Sequence, residues 1–356
     1  MKDKVKRILK KRPRSLRKKQ GPEAAENAAG IPRITNETVA EHREEVLSSA
    51  RKYIYPLQHS KHRVVIISIS LLVAMIVAFF TYCLLALYKF QSSNTFIYRV
   101  SQIIPFPVAK ASGRMVAYEN YLFELRHYIH YYQTQQKVDF SSESGRQQLA
   151  EFRKRAMSRV VDYAYIKELA DAKKISISDR ELEDAIHLVR DQNRLGSNDQ
   201  VFEDVLREFW GWSVADFKRE LKQQLLSQKV VSTLDAEAHT RAAEAHQRLL
   251  NGEDFAAVAK QYSSDPATKD NGGDYGYDIS PSDRNLSPQV IDTLFKMDVG
   301  ETSKIVNTGS GLEILRLKLK EESRVQAAHI VITFKPVEAY IGPLKTQQKP
   351  RIFIGQ

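Results

Sequence analysis

The chain has 356 residues, a net charge of +11 and one cysteine, Cys83. This length allows two or three domains of typical size, and a single cysteine excludes an intrachain disulfide. Eleven of the first twenty residues are Lys or Arg, against Asp3 alone, so the positive charge lies in a tail and does not form a basic binding face elsewhere. The histidines do not repeat at the spacing of metal ligands, so we predict no metal site.

Residues 1–63 are polar, charged and poor in aromatic side chains, which predicts a largely disordered basic tail with a short helix near Val39–Tyr53. Such a tail attracts either nucleic acid or anionic lipid. Because an apolar span follows it, we interpret the charge as a signal for membrane orientation and expect no nucleic acid as a partner.

Residues 64–88 are twenty-five successive uncharged positions, and roughly 20 predominantly apolar residues cross a bilayer. The stretch lies too far from the N-terminus, and its apolar core is too long, for a cleaved signal peptide. We therefore predict one uncleaved transmembrane helix in the lipid bilayer, with Cys83 as a small lipid-facing or packing residue. The excess of Lys and Arg before it places residues 1–63 in the cytoplasm and everything after residue 90 outside it.

Residues 89–107 form the predicted juxtamembrane connector, whose apolar side chains suit the lipid interface: Phe96, Tyr98, Ile103, Ile104 and Phe106. Two short apolar pieces around Ser112-Gly113 then predict a hairpin over residues 108–116. Apolar positions at helical spacing predict helices over residues 118–136, 142–172, 178–194, 199–210 and 213–229. The helices that follow Ser178 and Ser213 each open with a capping-box pattern.

Tyrosine and phenylalanine recur along these helices, for example at Tyr121, Tyr128 and Phe152. Two interpretations stay open: an ordinary core, which is the commoner use of such a stripe, or a groove for unfolded clients.

Residues 251–320 have the pattern of two helices followed by two short strands. The helices, over residues 254–262 and 288–297, each carry one apolar face. The strands cover residues 305–306 and 312–319, and leucine alternates with charged residues along the second, so one of its faces is buried. Between the helices lies the turn Gly272-Gly273-Asp274-Tyr275-Gly276, whose glycines we interpret as backbone requirements.

This stretch resembles the parvulin-type peptidyl-prolyl isomerases in the order and spacing of its motifs. The matching residues are Gly252, Asp254, Phe255, Ala259, Tyr262, Ser263, Asp265, Gly272, Gly273, Asp274, Gly276, Gly300, Glu301, Ser303 and Gly311. The preceding hairpin and helices resemble, in part, the SurA-type chaperone domain of periplasmic foldases, which has Asn at the position of Ser112.

The two resemblances imply an α+β protein with a single transmembrane helix. A helical chaperone-like domain then covers residues 108–233. A parvulin-like domain, with a small antiparallel sheet flanked by helices, covers residues 234–335. Residues 336–356 remain as a C-terminal tail.

The opening strand of the family, of the form Ala-x-His-Ile-Leu-Val, is missing before residue 251, where residues 234–250 have a helical pattern. A matching strand occurs instead at the end, as Val325–Ile332 with His329. This strand has two explanations. It either begins a truncated second isomerase domain or belongs to a single, permuted one. Too few residues follow for another domain, and the first and last strands of the fold are antiparallel neighbours, so we favour permutation. Permutation predicts that residues 312–319 pair with residues 325–333.

By the same resemblance, the polar centre combines His329 with Asp265, and Ser263 supports its hydrogen bonds. The pocket for the proline ring takes the residues at three apolar positions of the family, Leu286, Val290 and Phe295. Glu313 stands where the family has a second histidine. A carboxylate at that position favours a charged His329, or else marks a centre that has lost its activity.

Rotation about an X-Pro bond crosses a barrier of ~18–20 kcal/mol that is set by amide resonance, and it requires no cofactor. We predict a membrane-anchored foldase that isomerises X-Pro bonds in unfolded or newly translocated, proline-containing polypeptides. One alternative is a non-catalytic holdase chaperone with a degenerate isomerase domain. Another is a structural envelope protein whose basic tail binds nucleic acid or the inner membrane face.

Overall fold

The computed structural model describes residues 35–355 except 194, 196 and 197, so predictions for residues 1–34 lie outside it. Helix α1, Asn36–Leu84, is continuous, and it includes both the short helix expected near Val39–Tyr53 and most of the apolar span. The later part of the expected disordered tail is therefore helical. Among the described residues, His62–Lys89 is the one stretch long and apolar enough to cross a bilayer, and its apolar window is fully exposed.

Residues from Phe79 onward form one compact unit. Helix α1 ends in a π-helical turn, Leu85–Lys89, and α2, Thr95–Ile103, follows, so the expected connector is mostly helical. Phe106, which we expected at the lipid interface, is instead buried in the core of this unit.

Strands β1, Pro107–Ala111, and β2, Arg114–Ala117, form the predicted hairpin. Its two turn residues, Ser112 and Gly113, both have positive φ, 54° and 69°. This geometry suits the right-handed twist of paired strands, and Gly adopts it without strain.

The helical domain contains α3 (Tyr118–Thr134), α4 (Glu143–Lys173), α5 (Asp179–Gln192), α6 (Asp199–Val205) and α7 (Val214–Leu234). The capping boxes predicted at Ser178 and Ser213 are both formed. The predicted helix over residues 199–210 is divided, because α6 passes into a π-helical turn, Leu206–Trp210. Tyr121 and Phe152 are buried where α3 packs on α4, so this part of the aromatic stripe is core.

The parvulin-like domain contains α8 (Ala236–Leu250), α9 (Phe255–Tyr262), α10 (Pro288–Lys296), β3 (Val306–Asn307), β4 (Gly311–Lys320) and β5 (Val325–Thr333). Its strands form an antiparallel sheet in the order β3-β4-β5. The register from Gly311↔Thr333 to Lys320↔Val325 confirms the predicted pairing of the late strand with residues 312–319. Helices α8 and α9 cover one face of the sheet, and α10 covers the other.

The expected C-terminal tail needs correction. Residues 338–352 contain α11 (Glu338–Gln347) and β6 (Arg351–Ile352). Helix α11 packs on α4 with Ile341 fully buried, and β6 pairs with β1. The chain thus returns to the helical domain after β5, because isolated apolar residues near its end complete that core.

Candidate active site

His329 lies in the middle of β5 and shares a face of the sheet with Val325 and Ala327, since side chains alternate along a strand. These two residues belong to the apolar cluster beneath α10. The side chain of His329 is only 9% exposed, so it presents little more than an edge to solvent.

Two carboxylates hold the imidazole from opposite sides. Nε2 of His329 lies 3.1 Å from Oδ2 of Asp265, and Nδ1 lies 3.4 Å from Oε2 of Glu313. Glu313 comes from the neighbouring strand β4, whereas Asp265 comes from the loop after α9. The structure therefore brings together three of the four predicted polar residues, although they are far apart in the sequence.

The loop holds the Asp265 carboxylate in place. Its Oδ1 accepts from the N–H of Ala267 at 3.0 Å, and its Oδ2 accepts from the hydroxyl of Thr268 at 2.6 Å. Burial alone raises the pKa of Asp265, but the hydrogen bonds from Thr268, Ala267 and His329 together outweigh it and lower that pKa. An ionised carboxylate, 26% exposed, is thus the most accessible group of the centre.

Ser263 fastens this loop to β5 and does not contact the imidazole. Its Oγ accepts from the backbone N–H of Val331 at 3.2 Å and from that of Asp265 at 3.3 Å. The next residue, Ser264, donates its backbone N–H to the oxygen of Val331 at 2.6 Å. Ser263 is therefore placed to position Asp265 against His329.

Tyr275 covers the centre from the glycine-rich turn. Its ring centroid lies 4.1 Å from that of His329, and its hydroxyl donates to Oε2 of Glu313 at 3.3 Å. Burial raises the pKa of Tyr275, and the charge of Glu313 adds to the effect, so the phenol stays a donor. The glycines of the turn all have positive φ, with values of 64°, 77° and 76° at Gly272, Gly273 and Gly276.

The three predicted proline-pocket residues belong to one apolar cluster between α10 and the sheet, but only two of them line a cleft. Leu286 and Phe295 line a cleft of about 780 Å³ whose opposite wall is the end of α5, including Leu188. Val290 is instead fully buried against the sheet. The residues that line the cleft do not include His329, Asp265 or Glu313.

Sequence reasoning missed two residues of this centre, Thr268 and Tyr275. Oγ1 of Thr268 lies 3.0 Å from Nε2 of His329. Thr268 was signalled only by its position in Asp-Pro-Ala-Thr, where the aspartate accepts from the second and third residues after it. Tyr275 was signalled by an aromatic residue inside the glycine-rich turn.

Comparisons with known proteins agree with this architecture. The family described as the PPIC-type PPIASE domain matches residues 225–319, and the SurA-like N-terminal domain matches residues 57–231. The first match ends before β5, so it includes Asp265 and Glu313 but not His329.

Similar proteins include three named "Foldase protein PrsA". The one from Caldanaerobacter subterraneus subsp. tengcongensis is 32% identical over 157 residues, which are 41% of this chain and 50% of the relative. The one from Geobacillus sp. is 29% identical over 197 residues, 50% of this chain and 70% of the relative. The one from Clostridium botulinum is 26% identical over 221 residues, 52% of this chain and 65% of the relative.

The chain thus spans about half the length of the first of these relatives and about two thirds of the other two. The two family matches overlap at residues 225–231 and together extend from residue 57 to residue 319. The chain therefore contains a SurA-like N-terminal domain followed by a parvulin-type, PPIC-family peptidyl-prolyl isomerase domain.

Proposed function

We propose that this chain is a membrane-anchored foldase that catalyses cis-trans isomerisation of X-Pro bonds in unfolded or newly translocated polypeptides outside the cytoplasm. The observation that carries the proposal is the position of His329 between Asp265 and Glu313. The PPIC-type domain and the similarity to PrsA foldases support the same reaction and the same class of substrate.

Isomerisation needs no bond to break, because the barrier arises from amide resonance that is lost as the peptide twists. A catalyst therefore has to stabilise the twisted amide more than the planar one. We assign this role to the fixed polar groups around His329. The exposed edge of Asp265 meets the peptide, and Glu313 and Thr268 keep the imidazole from turning away.

The apolar span and the basic residues before it support the membrane anchor. The stretch His62–Lys89 is long and apolar enough to span a bilayer. Lys61 and Arg63 lie at its N-terminal end behind the strongly basic first twenty residues. Basic residues concentrate on the cytoplasmic side of membrane helices, so both domains are placed on the other side.

One structural observation favours a second candidate function, a holdase chaperone without isomerase activity. The ring of Tyr275 lies tilted against His329, its hydroxyl donates to Glu313, and His329 contributes nothing to the lining of the cleft. A centre closed in this way admits a peptide only if the tyrosine moves. The SurA-like domain and the cleft would then account for client binding without catalysis.

Exchange NMR on an X-Pro peptide, with the full-length chain in nanodiscs, separates the two functions. For the isomerase we expect faster exchange, and His329→Gln and Asp265→Asn should each lower kcat/KM by about tenfold or more. His246→Gln on α8 is the matched histidine control and should leave kcat/KM unchanged. If the wild-type chain does not accelerate exchange but still suppresses client aggregation, the holdase function is correct.

A further inference from the structure

Helix α1 enters the folded domain without a flexible linker. Cys83 and Leu87 are fully buried in the core of the helical domain. The hydroxyl of Tyr118 donates to the oxygen of Leu87, and that of Tyr88 donates to the oxygen of Pro107, both at 2.6 Å. The last turns of the apolar span, from Phe79 onward, are thus part of the domain.

This arrangement locates the outer boundary of the lipid. Residues 64–82 have no buried position and extend roughly 29 Å at 1.5 Å per residue, close to the thickness of the hydrocarbon core. From residue 64 onward, the first fully buried residue is Cys83. Tyr82 therefore lies where hydrocarbon ends and headgroups begin.

Helix α2 lies at the same level, because the ring of Phe96 on α2 is 6.3 Å from that of Tyr82. One stripe of α2 is exposed and carries Phe96, Arg99 and Ile103, at i, i+3 and i+7. Phe96 is 53% exposed and Ile103 is 82% exposed. Ile97 and Ser101, on another side of the helix, are buried in the domain.

We propose that this stripe of α2, together with Phe90, docks into the outer interface of the bilayer, so that the helical domain sits on the membrane surface. An apolar stripe interrupted by a basic residue is typical of interfacial helices, which insert about 5–10 Å below the headgroups. Arg99 lies within the stripe, and Lys89 directly precedes Phe90. Neither residue has a carboxylate partner among the described residues, which suits anionic headgroups. The occupant of the stripe is the lipid bilayer itself, continuous with the span.

The inference rests on the membrane anchoring in the proposed function, and the test separates the two. Single cysteines are introduced into the full-length chain in a Cys83→Ala background, labelled with an environment-sensitive fluorophore and reconstituted into vesicles of phosphatidylcholine and phosphatidylglycerol. The test variants are Phe96→Cys and Ile103→Cys. Gln102→Cys is the matched control, exposed on the same helix but on a neighbouring stripe. Met75→Cys, which is 67% exposed within the span, reports insertion of the span.

Spin-labelled lipids should quench the label at Phe96 and Ile103 about threefold more than at Gln102, with a blue-shifted emission at the first two positions. Equal quenching at all three sites of α2, with strong quenching at Met75, would overturn the docking while leaving the anchor intact. No quenching at Met75 would overturn the anchor and the docking together. Disulfide cross-linking of two chains through Ile103→Cys, without quenching, would show instead that a second copy covers the stripe.

Discussion

Gly273 and His329 are joined by a backbone hydrogen bond at the centre of the candidate site. The N–H of His329 donates to the oxygen of Gly273 at 2.8 Å, and a Cβ atom at position 273 would lie 2.2 Å from the oxygen of His329. The contact leaves no room for any side chain, and it fixes the glycine-rich turn to the strand that carries the histidine.

Gly273→Ala should therefore destabilise the isomerase domain by about 3 kcal/mol or more, because the clash is with backbone and φ is positive. Hydrogen–deuterium exchange of β4 and β5 measures the loss as reduced protection. Gly276→Ala is the control: its φ is 76°, but nothing lies within 4 Å of the added Cβ. That variant should cost only about 1 kcal/mol. Equal effects at both positions would refute the role assigned to the close approach.

Tyr275 is expected to limit access to His329. Tyr275→Leu removes the ring that covers His329 and should raise kcat/KM towards an unfolded protein substrate by about three- to tenfold. This change is equivalent to roughly 1 kcal/mol of barrier. Tyr275→Phe keeps the ring and removes only the hydrogen bond to Glu313, so its kcat/KM should change little. The measurement is proline-limited refolding of a model protein. A fall in activity of Tyr275→Leu as large as that of His329→Gln would mean that the ring belongs to the catalytic centre.

Asp235 lies between α7 and α8, at the junction of the two domains, and links the start of α8 to the segment after β5. Its carboxylate accepts from the backbone N–H of Ala238 at 3.1 Å and from that of Lys335 at 2.7 Å, and the residue is 2% exposed. Asp235→Ala should lower the free energy of unfolding by about 2–4 kcal/mol, because a buried carboxylate that accepts from two backbone N–H groups is lost. Asp254→Ala removes an exposed helix cap with one acceptor bond and should cost about 1 kcal/mol.

The same carboxylate should contribute to acid sensitivity. Burial raises the pKa of Asp235, but hydrogen bonds from Lys335, Ala238 and Tyr340 outweigh it and hold that pKa below the ordinary 3.8. A lowered folded-state pKa gives stability that is present above pH 3.8 and is lost as the pH falls through the folded-state pKa. Denaturant unfolding between pH 6 and pH 2 should therefore show a steeper loss in the wild-type chain than in Asp235→Asn.

His127 should make the helical domain less stable in mild acid. It stacks on Trp212 at 4.5 Å, and burial, followed by the charges of Arg159 and His130, lowers its pKa from 6.5 to about 4. The unfolded chain then binds a proton that the folded chain does not, so stability falls as the pH drops from 6.5 towards 4. The slope should be about 1.4 kcal/mol per pH unit at most.

His127→Phe keeps an aromatic ring in the stack and should remove this slope without changing stability above pH 7. Tryptophan fluorescence is a selective reporter, because the chain has two tryptophans, Trp210 and Trp212, and both border the His127 ring. An unchanged slope in His127→Phe would mean that other groups cause the acid sensitivity.

Local patterns in the sequence, and for the pairing of β4 with β5 the resemblance to the parvulin-type isomerases, were sufficient for much of the fold. The capping boxes at Ser178 and Ser213, the hairpin at Ser112-Gly113 and the pairing of β4 with β5 are all formed as predicted. These features depend on residues a few positions apart, or on two strands joined by a short turn. The assignment of Leu286, Val290 and Phe295 to a proline pocket stays a prediction. All three lie in one apolar cluster, but only Leu286 and Phe295 line the cleft, because a helical repeat marks a buried face and not which of its residues reaches a cleft.

By itself, the sequence determined the apolar span and the order of the predicted helices and strands, and its resemblance to the parvulin-type isomerases indicated the candidate centre of His329, Asp265 and Glu313. Tertiary structure alone decided that Tyr275 covers this centre, that Ser263 serves the loop and not the imidazole, and that α11 and β6 return to the helical domain. The physical reason is the separation of the residues along the chain. Propensity and periodicity act within one element, whereas these contacts join distant residues that meet only when the elements pack.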